Sequence, residues 1–164
     1  MRLPASHLIL LVALITPAAA QADRSVRPHV SASEPCSQSQ ISKYRSAVFD
    51  RASAPQQLWP LIASMICSTG GDDARIQTAY DHLPPKLRHS TEDLGMERTT
   101  ETVERSRDLA SEMTTASKVD YAELTVKTKS LVELQYSGGA CSRQIDVRLT
   151  GRKWVIDEYV SGCD

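Results

Sequence analysis

Residues 121–160 read YAELTVKTKSLVELQYSGGACSRQIDVRLTGRKWVIDEYV, and their period decides the fold. Ala122, Leu124 and Val126 alternate with polar residues, as do Val132, Leu134 and Tyr136. So do Ile145, Val147 and Leu149, and then Trp154 and Ile156. Alternation with a period of two marks strands with one face on a core and one in water. Gly138-Gly139 and Thr150-Gly151 supply turns.

Registers follow from requiring every apolar set to share one side. A turn at Gly151-Arg152 sets Leu149 opposite Trp154 and Val147 opposite Ile156. A turn at Gly139-Ala140 sets Tyr136 opposite Arg143, Leu134 opposite Ile145 and Val132 opposite Val147. A turn at 128–130 sets Val126 opposite Val132 and Leu124 opposite Leu134. The three registers agree on one core face and predict a four-stranded antiparallel meander.

Upstream the period is 3.6. Ile41, Tyr44, Val48 and Phe49 share a helical face from about Gln38, and Ser53-Ala54-Pro55 breaks it. Leu58, Leu61, Ile62, Met65 and Ile66 define a second helix, which Pro60 either starts or kinks and Thr69-Gly70-Gly71 stops. Asp72-Asp73 suits the positive N-terminus of a third, bearing Ile76, Ala79, Tyr80 and Leu83, and Pro84-Pro85 ends it. A fourth, long helix is expected from about Glu97 to Ala116. Its stripe of Val103, Leu109, Ala110 and Met113 is thin and needs a partial cover. The expected class is α+β: N-terminal helices, then the meander.

The N-terminus has one charge, Arg2, then the apolar run Leu8–Ile15 and the small residues Ala18-Ala19-Ala20. This is the layout of a secretory signal cleaved near Ala20. The run is shorter than the roughly 20 residues a permanent span needs. Residues 21–35 are polar, contain Pro28 and Pro35 and have no period, so they read as a flexible leader. The expected organisation is a signal over 1–20, a leader over 21–35 and one domain over 36–164. Removal of 1–20 takes Arg2 with it, so the formal charge of −1 becomes −2. Such a balance points to no nucleic acid and no anionic membrane surface. A periplasmic or secreted location is expected, with no stable membrane anchor.

All four cysteines, Cys36, Cys67, Cys141 and Cys163, lie beyond the signal. An even count in an exported chain reads as a disulfide framework, and no C-x-x-C spacing points to redox or zinc work. Antiparallel packing of the first two helices brings Cys36 to Cys67. The strand register puts Cys141 within one residue of lying opposite Cys163. Each closed loop contributes about 3–4 kcal/mol in the chain-entropy model.

Two constellations follow from the same register. On the outer face Glu133, Asp146 and Asp157 form a row, beside Leu131, Val155 and Tyr159. Neighbouring like charges there are destabilising. They need a cation, a basic partner, or relief from Lys127, Arg148 and Arg152. On the inner face Glu158 follows Trp154 and Ile156, diagonal to Arg143 and near Tyr136. That set is either a structural ion pair at the rim or a ligand pocket between sheet and helices. His29, His82 and His89 have no metal-like spacing to other ligands, and no G-x-S-x-G or H-E-x-x-H occurs. No catalytic residue, metal ligand or cofactor site is assigned.

The ending Arg152–Tyr159, RKWVIDEY, resembles the last strand of small exported members of the cystatin-like and NTF2-like group. The resemblance implies a cone-shaped sheet around a helix and carries over no catalytic residue. By address and size the chain also resembles periplasmic immunity proteins. The expectation is a non-catalytic binding or inhibitory protein whose partner is another protein, such as a secreted toxin, or a second copy of the chain. Its alternative is a carrier of a small hydrophobic ligand between sheet and helices. A hydrolase or isomerase at Glu158 and Arg143 is the third reading.

Overall fold

The computed structural model describes residues 29–67, 71–92, 98–114 and 119–163. The expected signal, its cleavage site and most of the expected leader lie outside the described residues.

In chain order the elements are β1 (His29–Ser33), α1 (Gln38–Arg51), α2 (Pro55–Ile66), α3 (Asp72–His82), β2 (Lys86–Glu92) and β3 (Arg98–Glu104). Then come α4 (Arg107–Thr114), β4 (Tyr121–Thr128), β5 (Leu131–Gly138), β6 (Cys141–Thr150) and β7 (Lys153–Cys163). The strands form one seven-stranded sheet in the order β1-β4-β5-β6-β7-β2-β3. The pairing of β2 with β7 is parallel and the rest are antiparallel. The class is α+β, but the expected four-stranded antiparallel meander is corrected to a seven-stranded mixed sheet. The four expected strands are its contiguous part, β4 to β7.

The three added strands were hidden by their polarity. β1 lies within the expected leader, and only Ala32 of its five residues is buried. β2, KLRHSTE, aims Leu87 and His89 inward at period two, which a lone leucine does not reveal. β3, RTTETVE, is exposed along almost its whole length. Its three threonines fall within the expected long helix; as β-branched residues they favour a strand. The expected helix over 97–116 is thus a strand and a short helix. The boundary is chemical: Ser106 Oγ accepts the Leu109 backbone N–H at 3.0 Å, an N-cap that starts α4.

Helices and strands meet in one core. Trp154, Tyr44, Tyr136 and Tyr159 are its largest fully buried side chains, packed with Leu58, Leu61, Met65 and Met113. Each aromatic also places its polar tip. Trp154 Nε1 donates to Ser53 O at 3.0 Å, holding the α1–α2 link. Tyr44 hydroxyl donates to Ala122 O at 2.8 Å, tying α1 to β4. Tyr136 hydroxyl donates to Met113 O at 2.7 Å, tying β5 to α4. Buried hydroxyls and indoles need such partners, so these bonds help to fix α1, the α1–α2 link and α4 on the sheet.

The registers at β4–β5 and β5–β6 are the expected ones: Leu124 faces Leu134, Tyr136 faces Arg143 and Leu134 faces Ile145. At β6–β7, Leu149 faces Trp154 and Val147 faces Ile156, but then the register shifts and Asp146 faces Glu158. The extra residue is Asp157, a β-bulge that reverses the faces of everything after it. Tyr159 turns into the core and Glu158 turns out, opposite to the expectation for both. The shift also brings Cys141 directly opposite Cys163. The disulfides are Cys36–Cys67 and Cys141–Cys163.

Gly162 lies beside the backbone of Glu92, and a β-carbon there would come within 2.9 Å of the Glu92 carbonyl oxygen. Gly162→Ala is expected to destabilise by about 1–3 kcal/mol, read as a lower midpoint of urea unfolding. Replacing Cys141 and Cys163 together by serine is expected to cost about 2–5 kcal/mol in the same measurement.

Candidate functional site

No described helix packs on the outer face of the sheet, on which Ser90 and Val160 are nevertheless buried. Its central row crosses Glu133 in β5, Asp146 in β6 and Glu158 in β7. Asp157, expected in this row, sits exposed at the bulge and accepts from Arg148 Nε at 2.9 Å. Tyr159, expected beside the row, is in the core. The third carboxylate is therefore Glu158, assigned by sequence to the inner pocket.

Two of the three carboxylates carry cations from this chain. Glu133 is paired with Lys127. Glu158 is paired with Arg88 and, at 3.0 Å, with Arg98 Nη2. These arginines come from β2 and β3, so the row is relieved from strands that polarity had concealed. Asp146 between them has no lysine, arginine or histidine of the described residues within ion-pair distance. It accepts from Gln144 Nε2 at 3.3 Å. Burial pushes its carboxyl above the ordinary 3.8, with the Gln144 hydrogen bond and the more distant Lys127 opposing.

Alongside the row is a hollow of about 250 Å³, lined by Tyr121, Gln135, Ser137, Ser142, Gln144 and Gly162 among others. Tyr121, Ser137, Ser142 and Gly162 are cross-strand neighbours in turn, so side-chain bulk falls away along that line. Tyr121, 41% exposed, is the one large apolar side chain exposed among the described residues.

The inner rim differs from the expected set of Tyr136, Arg143 and Glu158. Tyr136 is buried with its hydroxyl bound to α4. Arg143 Nε donates to Glu112 O at 3.1 Å. Tyr159 occupies the place foreseen for Glu158 and donates to Glu112 Oε1 at 3.0 Å. Burial raises the phenol pKa of both tyrosines, so both stay protonated donors. Tyr159 stacks on His89, with ring centroids 4.9 Å apart and planes 11° apart. His89 Nε2 lies 3.1 Å from Ser161 Oγ, and its Nδ1 lies 4.0 Å from Glu101 Oε1. None of His89, Ser161, Glu101 and Glu112 was singled out by sequence. The available signal was His89 two residues beyond Leu87, at strand spacing.

No group of three or more histidine, cysteine or carboxylate side chains among the described residues is arranged to hold a metal. No helix among them is long and apolar enough to cross a membrane. The two disulfides are compatible with an oxidising compartment.

No family model matches the chain, and no curated protein matches it in sequence. Among solved structures it is similar to a DUF4783 family protein from Bacteroides uniformis, at 11% identity and a TM-score of 0.43, covering 68% of this chain and 98% of that one. A DUF4783 family protein from Bacteroides fragilis gives 12% identity and a TM-score of 0.37, covering 63% and 94%. Likeness at this level transfers no function. The cystatin-like, NTF2-like and immunity-protein resemblances find no support in these comparisons.

The raised Asp146 carboxyl has a thermodynamic consequence. An acid whose folded pKa lies above its unfolded one binds more protons folded, so ionising it costs stability as pH rises through that window. Asp146→Asn is expected to raise the melting temperature at neutral pH. The gain should vanish as pH falls far enough to protonate the wild-type side chain, which scanning calorimetry across pH would show.

Proposed function

We propose that the chain is an exported binding protein that captures a protein partner on the outer face of its sheet, in the periplasm or outside the cell. The observation that carries this reading is Asp146: a half-buried carboxylate, central on a face that no described helix covers, with no cation of the described residues beside it. A lysine or arginine of a partner would satisfy it. Such a contact, once desolvated, is worth more than an exposed pair. Glu133 and Glu158 are already paired, which leaves Asp146 as the carboxylate of the row open to a partner's cation. Val155 and Leu131 add apolar area, and Tyr121 adds an aromatic anchor.

The signal-like N-terminus and two disulfides support the address. An immunity protein that covers a basic surface of a toxin is the specific form of this reading. The carrier alternative has less support. The space between sheet and helices holds Tyr136, Met65, Met113, Leu134 and Ile145, all buried.

Native mass spectrometry of the chain isolated from the periplasm of its own host tests the proposal. Wild type is expected to retain a stoichiometric protein. Asp146→Arg is expected to weaken its capture at least tenfold, about 1.4 kcal/mol. Equal capture by both would remove Asp146 from the account. A retained small apolar molecule, with no protein, would favour the carrier.

A further inference from the structure

The inner rim holds a second arrangement, independent of the outer face. In the sheet β2 lies between β7 and β3. His89 in β2 faces Tyr159 on one side and Glu101 on the other. Ser161 is two residues beyond Tyr159, so it points to the same side of β7. Three adjacent strands therefore deliver a hydroxyl, an imidazole and a carboxylate to one spot.

Their order is that of a nucleophile, a base and an orienting acid. Ser161 Oγ is at hydrogen-bond distance from His89 Nε2, 3.1 Å, and Glu101 Oε1 is 4.0 Å from Nδ1. Nε2 thus has a hydrogen-bond partner, and Nδ1 faces a carboxylate that lies beyond hydrogen-bond distance. A carboxylate on the Nδ1 side favours the tautomer whose Nε2 is free to take a proton. The ring is also held. His89 is 8% exposed and lies flat on Tyr159, which Glu112 anchors from α4. The Cys141–Cys163 bond closes the same hairpin two residues beyond Ser161. Rigid support of this kind is what a reacting constellation needs.

The spot is reachable: Ser161 is half-exposed and the Glu101 side chain is 65% exposed. Arg143 is the cross-strand neighbour of Ser161. Its Nη1 is buried without a hydrogen-bond partner, and its Nε donates to Glu112 O, so the guanidinium is held against α4.

We propose that Ser161, His89 and Glu101 form an acyl-transfer site that hydrolyses esters of short acyl chains. Short chains are specified because the sheet neighbours of Ser161 are Arg143 and Thr91, which offer no apolar groove. Ser161 Oγ bonds to the acyl carbon while His89 Nε2 takes the hydroxyl proton. The carbonyl electron pair moves to oxygen. Its return breaks the bond to the leaving alcohol, which departs with the proton from His89. Water then attacks the acyl-serine by the same route, releasing the carboxylic acid and restoring Ser161. The sum is ester plus water to acid plus alcohol, with no change of oxidation state.

The test uses the disulfide-bonded full chain, p-nitrophenyl acetate as substrate and a fluorophosphonate probe read by intact mass and peptide mapping. The probe is expected to add once, at Ser161. Ser161→Ala should lose the adduct, and Ser161→Ala and His89→Gln should each lower turnover about 100-fold or more. Circular dichroism and melting identify any variant that fails to fold, and wild-type labelling stands without the variants. No adduct, an adduct at another residue, or Ser161→Ala turnover within about twofold of wild type would overturn the proposal. The Ser161–His89 bond would then serve packing alone.

Discussion

The extra residue that β7 carries at Asp157 sets the chemistry of both faces of the sheet. Before it Trp154 and Ile156 point inward; after it Tyr159 does. In an unbroken strand Glu158 would face the core, where an unpaired charge is costly. The bulge instead sends Glu158 out to Arg88 and Arg98, which binds the β2–β3 hairpin to the rest of the sheet by charge as well as by backbone. It sends Tyr159 in, where its ring fixes His89 and its hydroxyl holds Glu112. It also sets Cys163 opposite Cys141. One inserted residue thus connects the acidic row, the inner rim and a disulfide.

The bulge was legible in principle. A tight turn at Gly151 makes Cys141 oppose Gly162, whereas a direct cross-strand disulfide needs Cys163. A mismatch of one residue between turn and disulfide is the arithmetic of a bulge, and it lies between Trp154 and Cys163. Helices α1 to α3 and strands β4 to β7 were readable because their apolar residues recur with a clear period. β1, β2 and β3 were not, because Ala32, Leu87 and Val103 alone cannot establish one. The misreading of 97–116 has the same cause: threonine is uninformative about burial, and only the Ser106 cap marks where the helix starts.

The candidate sites divide along the same line. Glu133 and Asp146 could be found from register, and so could the pairing of Glu133 with Lys127. Glu158 could not, since its two arginines belong to the hairpin that polarity concealed. His89, Glu101 and Ser161 meet only because β2 pairs in parallel with β7, a long-range pairing that no local pattern announces. The aromatic residues show a further economy of design. Tyr44, Tyr136 and Trp154 each bury a ring and at the same time hold a helix or a helix link by one hydrogen bond. Their rings are visible in the strand and helix patterns; the bonds depend on tertiary position.

The place of β7 in the sheet bears on the order of folding. It follows every other strand in sequence, yet it lies between β6 and β2. The β2–β3 hairpin can form early by local contact, but its seat does not exist until β7 has paired with β6. Every link between the hairpin and the rest of the sheet thus waits on a closure spanning about seventy residues, the kind of non-local step that slows folding. A chain emerging from a ribosome N-terminus first would hold an unsatisfied hairpin with free edges until β7 had followed it. Pairing of β2 with β7 is therefore available only once nearly the whole chain is free to fold.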